Sequence, residues 1–126
     1  MVKDIGFEQL VVFHKKIVAR TGGSSGVRDA GLLKSALGRG NMTFGGEELY
    51  TPDESKIAVI TYSLICNHGF VDGNKRIGVA VMNLLCKMNG IILAYTQQEL
   101  IELGLAVASG DKNEEEIFEW IISHKK

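Results

Sequence analysis

Between positions 67 and 77 the chain reads Asn67-His68-Gly69-Phe70-Val71-Asp72-Gly73-Asn74-Lys75-Arg76-Ile77, a polar turn set between two apolar stretches long enough to be buried helices. From His68 to Arg76 it gathers an imidazole, a carboxylate, a carboxamide and two cations around a glycine. That is the inventory for proton transfer and for holding a metal-bound phosphate. His68, at the end of the preceding helix, is the natural general base, because an unperturbed imidazole titrates near neutral pH. Asp72 is the candidate ligand for a divalent cation, since a hard cation bound to nucleotide phosphates takes only one or two protein carboxylates. Lys75 and Arg76 add positive charge on one side, and Phe70 is the apolar peg that fixes the turn to the core.

Two elements must hold these groups. Gly73 can supply a backbone angle other residues avoid, and Asn74, Lys75 and Arg76 then open a helix over residues 74–88, closed by Gly90. The unpaired amides of its first turn face the loop, and with the helix dipole they favour an anion. On the other side, Pro52-Asp53-Glu54 starts a helix that runs to about Asn67, with proline early and acids near the positive end of the dipole. Ile57, Ala58, Ile60, Tyr62, Leu64 and Ile65 leave this helix almost no polar face, which makes it central. The turn is thus gripped at both ends, the arrangement a site needs for precision.

The stretch from His68 to Arg76 closely resembles the signature of the Fic/Doc family, His-x-Phe-x-Asp/Glu-Gly/Ala-Asn-Gly/Lys-Arg. Lys75, where the larger Fic branch has glycine, resembles the death-on-curing (Doc) branch, the toxin half of bacterial toxin-antitoxin pairs. Thr21-Gly22-Gly23, Arg28-Asp29 with Gly31-Leu32-Leu33, the run over 43–50 and the length of 126 residues extend the likeness over nearly the whole chain. The resemblance implies a transferase that moves a phosphate-containing group from ATP to a hydroxyl of another protein, with His68 as base, Asp72 on Mg2+, and Gly73, Asn74, Lys75 and Arg76 on the phosphates. It implies a flap at Thr43, Phe44, Gly45 and Gly46 that lies over the active loop and aligns the target segment. In the Doc branch it implies transfer of the terminal phosphate to a translation elongation factor, restraint by a cognate antitoxin, and inhibition of growth. Adenylylating relatives carry a second arginine three places after the first; Val79 stands there. Adenylyl transfer is the alternative within enzymes.

The rest of the chain reads as scaffold. Residues 7–21 form a first helix from the spacing of Phe7, Leu10, Val11, His14, Ile17 and Val18, with His14 a helix-surface or half-buried structural histidine and Glu8 a solvated first-turn acid. Glycines and serines over 22–26 end it. Asp29 caps a short helix over 30–37, stopped by Gly38 and Gly40, and residues 41–52 lack a helical period and read as a hairpin or loop around Gly45-Gly46. An extended link over 91–95 leads to a helix capped by Thr96 with Glu99, and Asp111 with Glu114 is read as the capping box of a last helix ending near His124. His124 is assigned no task beyond complementing the dipole of that helix, and Cys66 and Cys86 are read as buried thiols. The expectation is one domain over 1–126, a compact all-α Fic-like bundle of about six helices with a short hairpin or loop flap.

A net charge of -1 and a pI near 6.3 argue against a nucleic-acid footprint, because a phosphate backbone needs a basic face. No basic-then-apolar leader opens the sequence and no apolar run reaches a membrane span of roughly 18 residues. A cytoplasmic protein with no membrane and no direct nucleic-acid partner is expected. From a different class comes the reading of a catalytically silent binding module acting with an antitoxin. The intact His68, Asp72, Asn74 and Arg76 speak against it, since a module without chemistry need not keep all four.

Overall fold

The computed structural model describes residues 3–126. Those residues contain six α-helices: α1 (Phe7–Thr21), α2 (Ala30–Gly38), α3 (Asp53–Cys66), α4 (Asn74–Met88), α5 (Gln97–Ala108) and α6 (Glu114–Ser123). A 3-10 turn, Arg39–Asn41, follows α2, and the two-residue strands β1 (Thr43–Phe44) and β2 (Glu47–Glu48) pair antiparallel as a small hairpin. This is the compact all-α architecture of about six helices with a short hairpin that the helical periodicities and Gly45-Gly46 led us to expect, and it fits the Fic-like bundle that the resemblance implies.

Helix α3 is the axis of the molecule and packs against α2, α4, α5 and α6. Ile57, Ile60, Leu64 and Ile65 of α3 are all but excluded from solvent, as are Ile77, Val81, Met82 and Leu85 of α4. Close approach of these two helices depends on Gly78, where a β-carbon would fall 2.4 Å from Cγ1 of Ile65. Leu10 and Val18 of α1, Leu33 of α2, Leu103 and Val107 of α5, and Ile117 and Ile121 of α6 belong to the same buried apolar set.

Local signals start the helices where the sequence places them, with one exception, but Gly38 and Gly40 do not stop the second helix: Gly38 keeps helical backbone angles inside α2, and Gly40 lies within the 3-10 turn that continues it. Asp29 accepts the amide of Leu32 at 3.0 Å as the cap of α2, and Thr96 and Glu99 form the reciprocal box of α5. For α6 the box is Asn113 with Glu116, not Asp111 with Glu114. Both pairs have the right spacing. Gly110, at φ 88°, turns the chain so that the amide of Asp111 is spent on the carbonyl of Ala106, and the helix starts two residues later. His124 is also more than a dipole complement. Its Nε2 meets Glu99 at 2.9 Å, its Nδ1 meets the carbonyl of Trp120 at 2.7 Å, and its ring stacks on Trp120, so it ties the end of α6 to the start of α5. The extended link pairs with the chain end through a bridge between Leu93 and Lys125. Cys86 is buried and Cys66 only half-buried; both are free thiols, and burial pushes Cys86 up to about 12.

Candidate active site

The polar turn spans the gap between α3 and α4, and its conformation is enforced from three sides. From within, the Asn74 carboxamide brackets the backbone of Phe70, accepting its amide and donating to its carbonyl, each at 3.1 Å. Asn74 is therefore a structural member of the turn, and what it can offer a phosphate is its main-chain amide. Below, Phe70 is 1% exposed and its ring lies flat against His14, centroids 3.7 Å apart and planes 6° from parallel. His14 Nε2 also lies 2.7 Å from the carbonyl of Asp72, so Nε2 donates, and among the described residues Nδ1 is left buried without a partner. The half-buried expectation for His14 is corrected: it is wholly buried, and it holds both the peg and the acid of the turn. Its place on the apolar stripe of α1 was the signal for burial; nothing local signalled its partner 58 positions away.

The third side is the connection between α1 and α2. Val71 donates to Gly26, the amides of Arg28 and Asp29 donate to Gly69, and Val27 bridges Phe70 in an antiparallel fashion. Gly69 has to be glycine here, because a β-carbon would sit 2.4 Å from Cδ2 of Leu33. Gly73 caps α4 with φ 76° and ψ 18°, the left-handed backbone anticipated for it.

Around the turn lies a cleft of about 380 Å³ lined by His68, Val71, Asp72, Gly73, Asn74, Lys75 and Arg76, with Ile65 and Ala108 behind. The structure thus brings together all the polar residues singled out in the motif. His68 and Lys75 are exposed. Residues 74–76 begin α4, so their amides have no intrahelical acceptor and the positive end of the dipole borders the cleft. Asp72 accepts the amide of Gly73 at 2.8 Å and that of Ser24 at 3.3 Å; these bonds, with Arg76 nearby, hold its carboxyl below the usual range. An ionised, half-exposed carboxylate is the kind of hard donor that fits a divalent cation completing its shell with phosphate oxygens and water.

Arg76 is oriented by a contact that local sequence does not announce. One guanidinium nitrogen donates to Thr21 Oγ1 and to the carbonyl of Gly22, capping the C-terminal end of α1, and the other lies 3.7 Å from Asp72. Two of its five N–H donors are therefore spent on positioning.

The flap is held near its base. Glu48 of β2 pairs at 2.6 Å with Lys56, whose residue is only 2% exposed, and Arg39 joins Tyr50, Ser63 and Glu114. Among the described residues, Thr43, Gly45 and Gly46 of the flap do not line the cleft, and the side chain of Phe44 lies outside the described ones. Glu8 lies exposed on α1, at a surface hollow with Val12 and Lys16, as a solvated acid should.

A helical bundle that presents this nine-residue turn between its two central helices defines the class. Residues 4–86 match the model of the Fic/DOC family, about two thirds of the chain, and the protein belongs to that family. Among its relatives is Toxin Doc of Mycolicibacterium smegmatis (strain ATCC 700084 / mc(2)155), 41% identical over 73 residues, which are 58% of this chain and 56% of that protein. Another is the protein named Protein kinase doc of Escherichia phage P1, 27% identical over 110 residues, 87% of this chain and 86% of the phage protein. The chain thus aligns with little more than half the length of the first and most of the second. Among the described residues no helix is long and apolar enough to cross a membrane.

Proposed function

We propose that the protein is a Doc-type toxin that transfers the terminal phosphate of ATP to a hydroxyl of a target protein, a translation elongation factor, and so arrests growth. The observation that carries this reading is the cleft itself: one exposed imidazole, one ionised carboxylate, one ammonium and the open amides of a helix N-terminus border a single space. His68 accepts the proton of the incoming hydroxyl. The amides of 74–76 and the ammonium of Lys75 bind the phosphate oxygens and offset the charge that spreads over them during transfer. Arg76 contributes the donors that Thr21 and Gly22 leave free. Asp72 holds Mg2+, which when bound supplies further charge neutralisation at the phosphates.

Terminal-phosphate transfer is favoured over adenylyl transfer by two positions. Lys75 fills the space that a glycine would leave for close backbone approach to a diphosphate. Val79, where a second arginine would be needed, is only 8% exposed and borders an apolar groove. The name of the phage relative agrees with this choice.

That groove, about 270 Å³ between α1, α4 and α5, begins at Lys75 and Arg76 and is walled by Ile17, Val79, Leu100, Ile101 and Leu105. It suits the apolar face of a short helix, and we assign it to a cognate antitoxin that restrains the enzyme in trans. Its walls come from α1, α4 and α5. The flap is assigned to docking of the target segment.

The test is to supply ATP labelled at either the α or the γ position, with magnesium and a bacterial extract. Label on protein from γ alone is expected. Label from α would replace the reading with adenylyl transfer, and none from either, with active controls, would leave a binding module.

A further inference from the structure

We infer that Arg28 is a positioning residue for His68, holding the base in a backbone conformation it would not otherwise keep. This rests on the reading of His68 as the general base. Among the described residues, His68 is the one non-glycine with a positive φ, 51°. For a residue with a β-carbon that conformation is unfavourable, so something must offset it. Glycine and asparagine are the usual occupants of such a place just beyond a helix end.

Arg28 makes the compensating contacts. Its Nε donates to the carbonyl of His68 at 2.5 Å and its Nη2 to the carbonyl of Asn67 at 3.1 Å. Its own backbone amide donates to the next carbonyl, that of Gly69, at 2.8 Å. One residue therefore satisfies three successive carbonyls, at 67, 68 and 69, around the strained position. The charge matters as well as the bonds. The last turn of α3 contains no basic residue, so the negative end of its dipole is uncompensated within the helix. The guanidinium of Arg28, reaching from the connection between α1 and α2, stands just past that end. Its planar fork can span two carbonyls at once, which an ammonium cannot do in the same geometry.

With its carbonyl pinned on the Arg28 side, the imidazole of His68 is left among the residues of the cleft. If Arg28 is removed, α3 retains its buried apolar face and the turn keeps His14, Phe70 and Asn74, but residue 68 is free to relax toward negative φ. The base then moves relative to the hydroxyl it must deprotonate. A displacement of about 1 Å can lower turnover by on the order of a hundredfold without loosening substrate binding.

The experiment compares the parent with Arg28→Ala, Arg28→Lys and His68→Ala. Two quantities are read: the amide-to-Hα NOE within residue 68, which is strong only at positive φ, and γ-phosphate transfer to extract protein as a function of ATP concentration. Arg28→Ala is expected to lose the NOE and to lower kcat about tenfold or more, with KM for ATP unchanged. Millimolar guanidinium should restore part of both. Arg28→Lys keeps the charge without the fork, should recover less than guanidinium does, and serves if the alanine variant does not fold. Retention of both the NOE and kcat in the Arg28 variants would overturn the inference. So would a fall in kcat with the NOE intact, or loss of the NOE with kcat unchanged. Parental activity in His68→Ala overturns the base assignment instead, while the NOE still judges whether Arg28 sets the backbone.

Discussion

His14 offers the sharpest test of how the fold sets the site, because one buried ring does two separable things. It fills space under Phe70 and it tethers the carbonyl of Asp72. Truncation to alanine removes a fully buried ring and its flat stack, which should cost about 3 kcal/mol, the lower end for deleting a buried aromatic group. His14→Phe keeps the volume and the stack but loses the 2.7 Å hydrogen bond, a net loss of about 1 kcal/mol. Part of that loss is returned, because the bare Nδ1 is buried without a partner among the described residues and phenylalanine removes it. The expected order in urea unfolding is therefore parent close to His14→Phe, with His14→Ala well below and the slope with denaturant unchanged. Transfer activity should divide differently. Both variants free the main chain of Asp72, so both should lose about tenfold or more in γ-phosphate transfer even though only one is unstable. A phenylalanine variant that transfers at the parental rate would refute the tether, and an alanine variant that loses less than about 1 kcal/mol would refute the anchor.

Three other outcomes follow from the same geometry. His68→Ala should leave urea stability and nucleotide affinity nearly unchanged while abolishing transfer and growth inhibition, because the side chain is exposed and is assigned to proton transfer alone; purified transfer and plating assays check it. Gly69→Ala should destabilise by about 1–3 kcal/mol, since the new β-carbon meets Leu33 at 2.4 Å, and Gly69→Ala with Leu33→Ala should recover part of that in thermal melts. Among the described carboxyls with a resolved shift, Asp4 is the one whose shift makes stability fall with rising pH. Burial, only partly offset by the amide of Ile5, raises its carboxyl from the ordinary 3.8 to about 6. The folded state thus binds this proton more tightly than the unfolded one, so the contribution is favourable below about pH 4, is lost as pH rises to about 6 and is flat above. With solvent around a half-buried carboxyl the loss is about 1 kcal/mol, and Asp4→Asn should remove that slope and be the more stable protein at pH 7 in urea titrations run across the range.

The linear sequence determined whatever depends on neighbours a few positions apart. Helical spacing of apolar residues placed α1 from Phe7 to Thr21 and α4 from Asn74 to Met88, and Gly45-Gly46 between short runs marked the hairpin. Thr96 with Glu99 capped α5 as its spacing required, since a capping box closes within one turn. The chemical inventory of the turn, and the left-handed backbone at Gly73, were legible for the same reason. Even local signals ran short where two patterns competed: Asp111 with Glu114 and Asn113 with Glu116 have equal spacing, and the turn through Gly110 chose between them. Tertiary structure alone decided the partners of the functional residues. That His14 holds Asp72, that Thr21 and Gly22 orient Arg76, that Arg28 grips the carbonyls around His68, and that Glu99 receives His124 are pairings across 25 to 58 positions. Hydrogen bonds and ring stacking act over a few ångströms, and the sequence carries no periodicity for groups that only packing of the helices brings within that distance.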